Sequence, residues 1–193
     1  MIETDRLILR PWEPRDRAPF AALNADAEVR AHFPKLLDRA ESDALIARFE
    51  AGRATDGFSI GVAERKADGA FLGMVGLARV RFPEVPPLAD AVEVGWRLAR
   101  EHWGQGYATE AARAWLAHGF GTLGLAEIVA FTVPANHRSQ AVMRRLGMRH
   151  DPARDFLHPA IPEGHPLRPH VLFALASSTR SARETEGGRP ACA

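Results

Sequence analysis

Between Arg6 and Trp12 the chain reads RLILRPW, a short apolar run stopped by Pro11, which suits a first strand. From Pro14 to about Arg30 the apolar positions fall at Phe20, Leu23 and Ala27, a helical spacing. A second helix is expected after Asp38, with Leu45, Ile46 and Phe49 at the same spacing and Gly52 near its end. The pattern then changes. FSIGVAE (58–64) and AFLGMVGLARVRF (70–82) are rich in strand formers, and Asp68-Gly69 between them suits a hairpin turn. FPEVPPLAD follows as a proline-rich connection.

AVEVGWRLA (91–99) alternates cleanly, placing Val92, Val94, Trp96 and Leu98 on one face and Glu93, Gly95 and Arg97 on the other. After it, HWGQGYATEAARAWLAHGF sets Ala108, Ala111, Ala112, Trp115 and Gly119 along one side of a helix, the pattern of a helix laid on a sheet. EIVAFTV (127–133) is continuously apolar, as a buried central strand is. NHRSQAVMRRLGM predicts a helix capped by Asn136 and stopped at Gly147, and HVLFALA (170–176) predicts a last strand. This order predicts an α/β fold: one domain over residues 1–176, a mixed sheet with helices on both faces. The small, polar and charged residues 177–193 are expected to be a disordered tail.

Composition adds limits. The chain has 193 residues, 46% hydrophobic and 25% charged, which is ordinary for a globular domain. A formal net charge of +1 gives no general attraction for nucleic acid or an anionic membrane. No apolar run approaches a membrane span, and the amino-terminal MIETDRLILRPW has charges where a signal peptide needs an apolar core, so a cytoplasmic protein is expected. With Cys192 the single cysteine, a disulfide within the chain is impossible and a thiolate zinc cluster is not expected. Of the four histidines from His150 to His170, His165 and His170 have a distantly metal-like spacing without a second ligand pair, so no metal is expected and these are read as surface loop residues.

The chemistry concentrates at WGQGYAT. No Ser, Asp or Asn stands where the next helix begins, so its first amides need another partner. Gly104 and Gly106 leave the main chain open to close approach, which suits a phosphate group at a helix start. A P-loop would need GxxxxGK[ST], which is absent. A dinucleotide fold would need a third glycine where Thr109 stands.

Trp103-Gly104-Gln105-Gly106-Tyr107-Ala108 resembles the pyrophosphate motif [QR]-x-x-G-x-[GA] of the GNAT superfamily of N-acetyltransferases, with Trp103 replacing the usual Gln or Arg. WGQGYATEA, with IETDRLILRPWEPRD before it and NHRSQAVMRRLGM after it, is similar to the branch containing ribosomal-protein N-terminal (alanine/serine) acetyltransferases. The resemblance covers about residues 1–176. It implies a GNAT-type acyl-CoA N-acyltransferase fold and acetyl-CoA as co-substrate. Backbone groups around Arg97, Leu98 and Ala99 would bind the pantetheine arm, and amides from Gly104 through Gln105, Gly106, Tyr107 and Ala108 to Thr109 would take the diphosphate. Asn136 would touch the arm, and Ser139 would hydrogen-bond toward the sulfur. Glu93 would be the base that takes the amine proton. Many members carry, later on the last helix, a Tyr that protonates the departing thiolate; Met143 stands there and leaves that acid open.

His137, Arg138, Arg144, Arg145, Arg149 and His150 make a basic stretch that reads as a solvated face or as a site for the carrier's ribose phosphate. The resemblance implies direct acetyl transfer to a primary amine, a protein N-terminal α-amine or a small molecule such as a polyamine, amino acid or aminoglycoside. A non-catalytic acyl-CoA sensor is the reading from another class. The proline-rich segments FPEVPPL and 150–170 lie where the resemblance places the acceptor loops and would select the acceptor; nucleic acid and membrane are not expected as partners, and a homodimer stays open.

Overall fold

Five antiparallel strands lead into one parallel step. β1 (Ile2–Glu3), β2 (Leu7–Arg10), β3 (Ile60–Arg65), β4 (Phe71–Arg79) and β5 (Val92–Leu98) lie side by side in chain order. β6 (Glu127–Thr132) joins β5 in parallel, and β9 (Pro169–Ala176) follows antiparallel, carrying the two-residue strands β7 (Arg149–His150) and β8 (Phe156–Leu157). This computed structural model describes residues 1–177 apart from Pro83, Pro86 and Pro87. The expected tail beyond Ser177, with Cys192, lies outside the described residues, as do those three prolines of the FPEVPPL segment.

Four α-helices are present among the described residues: α1 (Arg17–Ala25), α2 (Arg39–Asp56), α3 (Tyr107–Gly121) and α4 (His137–Arg145). α1 and α2 cover one face of the sheet, where Phe20, Leu23 and Ile46 pack on Ile60 and Met74. α3 and α4 cover the other, where Ala112, Leu116 and Met143 pack on Val94, Ile128 and Ala130. Strand alternation sorts β5 as expected: Val92, Val94 and Leu98 are buried with α3.

Two helix ends differ from the pattern. α1 stops at Ala25 and does not reach Arg30, because the Asp26 carboxylate accepts the amides of Glu28 and Val29 and starts a separate turn. α2 runs past Gly52 to Asp56 and ends at Gly57, whose φ of 81° closes the last turn with an N–H to Arg53 O bond. Its start is the expected one: Asp38 accepts from the Glu41 amide at 2.8 Å, and Glu41 accepts from the Asp38 amide at 3.0 Å.

Under the β2–β3 side lies a buried ion cluster. Arg10 donates to both oxygens of Asp16, at 2.7 and 2.8 Å, and to Glu64 at 2.9 Å. All three residues are under 10% exposed. The paired acids hold the guanidinium pKa above its ordinary value despite burial.

Candidate active site

β5 and β6 are paired at one place, Glu93 opposite Val129. β4 pairs β5 along its whole length, from Val92 to Leu98. On its other side, β5 therefore has no strand partner from Val94 onward among the described residues. The two parallel strands diverge into a wedge whose β5 edge offers unpaired backbone groups.

At the end of that edge the chain makes a short 3-10 turn, Arg100–His102, and reaches the glycine turn. Gly104 and Gly106 have φ of 74° and 83°, conformations that L side chains resist. Gly106 stands at the start of α3 and no side chain caps the helix there. No hydrogen bond from the described residues reaches the amides of residues 104–109. Six N–H groups, three of them opening a helix of 15 residues, thus have no protein partner.

The turn is held from outside. Arg6 donates to the Gln105 carbonyl at 3.0 Å and to Glu110 at 2.7 Å, and its guanidinium lies over the Tyr107 ring. Glu110 also accepts from the Arg6 amide and the Thr4 hydroxyl. The Tyr107 ring is buried in the core, so only its amide belongs to the turn. Ala108 and Thr109 are half-buried on the first turn of α3, and the Gln105 side chain folds back to the Glu101 carbonyl at 3.0 Å. The Trp103 indole donates to Leu98 O at 2.9 Å, and Ala99 N donates to Leu72 O at 2.9 Å. Two of the backbone groups expected to meet a pantetheine arm therefore already have partners. Arg138 stacks 4.8 Å from the Trp103 ring and brings the start of α4 beside the turn.

Asn136 caps α4. Its Oδ1 accepts from Ser139 N at 3.1 Å, and its Nδ2 donates to Thr132 Oγ1 at 3.0 Å. Ser139 is half-buried in the first turn of that helix. Met143 is 2% exposed and belongs to the core cluster under α3, so that position faces packing and offers no proton.

Glu93 begins the wedge, on the face covered by α1 and α2. A Cβ built on Gly95 would stand 3.0 Å from Ile60 Cδ1 and 3.8 Å from Glu93 Oε1, so the missing side chain leaves room for Ile60 beside the carboxyl. No charged partner sits beside the carboxyl, and burial pushes its pKa up from 4.5 to about 8. A carboxyl in that range exchanges a proton near neutral pH, which suits general acid–base work.

On the same strand face stands a group that no local sequence signal marks. Arg97 Nη1 donates to Asn24 Oδ1 at 2.7 Å, and Asn24, fully buried, donates to Ser42 at 3.2 Å. The Arg97 and Arg30 guanidinium groups each lie 4.3 Å from the centroid of Phe33.

The segment 150–170 departs from expectation. His158 and His170 are half-buried, with rings 5.0 Å apart, among Phe82, Phe131 and Phe156. Burial pushes His158 down to about 4 and lowers His170. They pack against an aromatic cluster and are only partly exposed, where the sequence pattern predicts free surface residues. An open cavity of about 320 Å³ adjoins them, lined by Pro134, Asp155, Phe156, Leu157, Pro169, His170 and Val171. It sits where β6 ends and β9 begins. No group of three His, Cys, Asp or Glu residues among the described residues could hold a metal. No described helix is long and apolar enough to cross a membrane.

A family model described as an acetyltransferase (GNAT) domain matches residues 6–149. The uncharacterized protein YkkB of Bacillus subtilis is 34% identical over 148 residues, 76% of this chain and 84% of YkkB. Among solved structures, the ribosomal L7/L12 α-N-acetyltransferase RimL in complex with coenzyme A superposes with a TM-score of 0.72 at 14% identity, over 90% of this chain and 96% of RimL. The spermidine N-acetyltransferase of Vibrio cholerae, bound to coenzyme A and spermine, gives 0.69 at 18%, over 91% and 98%. At those identities the two structures speak for the shared fold.

Proposed function

Since the chain belongs to the GNAT acetyltransferase family, we propose that it carries an acetyl group from acetyl-CoA directly to a primary amine bound in the wedge between β5 and β6. The family makes it an N-acetyltransferase; the co-substrate, the residue roles and the acceptor are our reading. One observation carries it: the split beyond Glu93 and Val129 leads to six amides, at residues 104–109, that no group among the described residues satisfies. An extended arm fits beside the open edge of β5 and a diphosphate fits the start of α3. RimL and the spermidine enzyme both hold coenzyme A on this fold, which supports the same co-substrate here.

Acetyl-CoA supplies a thioester, and the chain supplies position and proton handling. The amides of residues 104–109 anchor the carrier, with Arg138 beside them. Glu93 takes a proton from the bound ammonium before attack, or from the amine nitrogen as it bonds to the acetyl carbon, directly or through a water, once its own carboxyl is ionised. The Ser139 hydroxyl, in the first turn of α4 beside the Asn136 cap, is assigned to the departing thiolate. Met143 takes no part, being enclosed in the core. Protein N-terminal α-amines and small amines both remain acceptor classes within this reading, since the two solved neighbours represent one of each.

The test is release of coenzyme A thiol on adding amines, with calorimetry of acetyl-CoA binding to wild type and Gly106→Val. At φ 83° a β-branched residue is strained, and its Cβ would stand 3.5 Å from Arg6 Nη2, which helps to hold the turn. Binding should fall at least tenfold in the variant. Unchanged affinity removes the diphosphate assignment, and binding without turnover on any amine would favour a sensor.

A further inference from the structure

Arg30 and Arg97 form a cationic site in which, among the described residues, no carboxylate is hydrogen-bonded to either guanidinium. Arg97 has Asn24 as its one hydrogen-bond partner among the described residues, and its Nε is enclosed with no acceptor. Arg30 spends Nε and Nη2 on the Lys35 carbonyl, at 3.0 and 2.8 Å, and is 7% exposed. Both stack on Phe33, which is 37% exposed. The one carboxylate that acts on Arg30 is Glu41, already committed to Lys35 and to the α2 cap. Burial, and after it the charge of Arg30, lowers Arg97 to about 9. His32, on the same loop, has its pKa lowered by burial and then by Arg138 and His137. Buried cations that repel each other and lack counterions are costly in the free protein, and an arriving anion relieves that cost.

The place matters as much as the charge. Glu93, Gly95 and Arg97 project from one face of β5, and at about 3.3 Å per residue Arg97 Cα lies roughly 13 Å along the strand from Glu93 Cα. Gly95, between them, adds no side chain to that floor, which Ile60 Cδ1 lines. A molecule lying on that floor with its amine at Glu93 would set its other end against Arg97.

From this juxtaposition we infer that the acceptor is a small amine carrying a carboxylate, held by Arg97 and Arg30 a few bonds from the nitrogen that is acetylated. The inference rests on the acetyltransferase reading and narrows it. A guanidinium with an exposed aromatic platform is the residue type suited to a carboxylate. A polyamine would bring a second cation against two resident ones, and a neutral amine would leave them unpaired.

The experiment compares matched acceptors, 4-aminobutyrate and 6-aminohexanoate against their methyl esters and against spermidine, in wild type, Arg97→Gln, Arg97→Lys and Arg30→Gln. Wild type should favour the free acids in kcat/KM by at least tenfold. Arg97→Gln should bring that ratio near one, chiefly through KM of the acid, and Arg97→Lys should restore part of it. Esters or spermidine used as well as the acids, or an unchanged ratio in a folded Arg97→Gln, overturns the inference. Arg30→Gln gives the same reading if Arg97→Gln does not fold.

A second readout is independent of turnover. Succinate should raise the melting temperature of wild type and not of Arg97→Gln or Arg30→Gln. If no amine is acetylated but succinate stabilises in this Arg-dependent way, the transfer reading fails while the anion site stands; if succinate does nothing, the site fails.

Discussion

Glu93→Gln isolates the proton-transfer step. Burial lifts the Glu93 carboxyl from 4.5 to about 8, so near pH 7 only about a tenth of the free enzyme carries the base form, and near pH 9 about nine-tenths does. With an acceptor whose own nitrogen is unprotonated throughout, kcat/KM of wild type should climb roughly tenfold between about pH 7 and about pH 9 and then level off. The amide of glutamine keeps the shape and cannot take a proton. The variant should lose that limb and run about 10²- to 10⁴-fold slower on the plateau, the usual worth of a positioned base. Initial rates of thiol release at several pH values, with acetyl-CoA affinity measured separately, read the effect. A variant with the wild-type limb, or a wild type flat across this range, would remove Glu93 from the chemistry.

The same carboxyl has a stability consequence of opposite sense. Its folded pKa lies above the unfolded one, so its contribution is full below about pH 4.5 and is lost as pH rises to about 8. Glu93→Gln should therefore be the more stable protein above about pH 8, by up to a few kcal/mol, with no difference near pH 4; urea titration at both ends checks it. Arg10→Leu should cost about 3–5 kcal/mol, because Asp16 would stay buried without its cation and Glu64 would keep only the exposed Arg15; a loss under about 1 kcal/mol in chemical denaturation would show that the cluster is relaxed. Gly104→Ala places a methyl where no protein atom lies within 4 Å, yet at φ 74°. It should lower stability by only about 1 kcal/mol while weakening acetyl-CoA binding clearly more, and equal weakening of nothing but stability would count against the turn as an anion site.

The sequence pattern located what local chemistry controls. Alternation in AVEVGWRLA sorted the two faces of β5, Asp38 marked the start of α2, Asn136 marked the cap of α4, and the missing cap before Tyr107 pointed to the free amides. Where a side chain competes with the helix, periodicity misleads: Ala27 continues the spacing of α1, yet the Asp26 carboxylate ends it. β7 and β8, at two residues each, are too short to carry an alternation at all. The anion-seeking pair was invisible for another reason. Arg97 meets Asn24 across 73 residues and Arg6 meets Glu110 across 104, and no window along a chain reports such meetings. His158 and His170 read as solvated loop residues because prolines surround them, whereas the aromatic neighbours that enclose them come from β6, β8 and the segment after β4.

Because a single backbone rung joins β5 to β6, the sheet is two plates riveted by hydrogen bonds at one place, with α3 and α4 packed across the join. Whatever lies in the gap becomes the second rivet. Amide exchange should therefore slow on ligation along β6 as well as along the open edge of β5, the two plates stiffening together if acetyl-CoA lies between them.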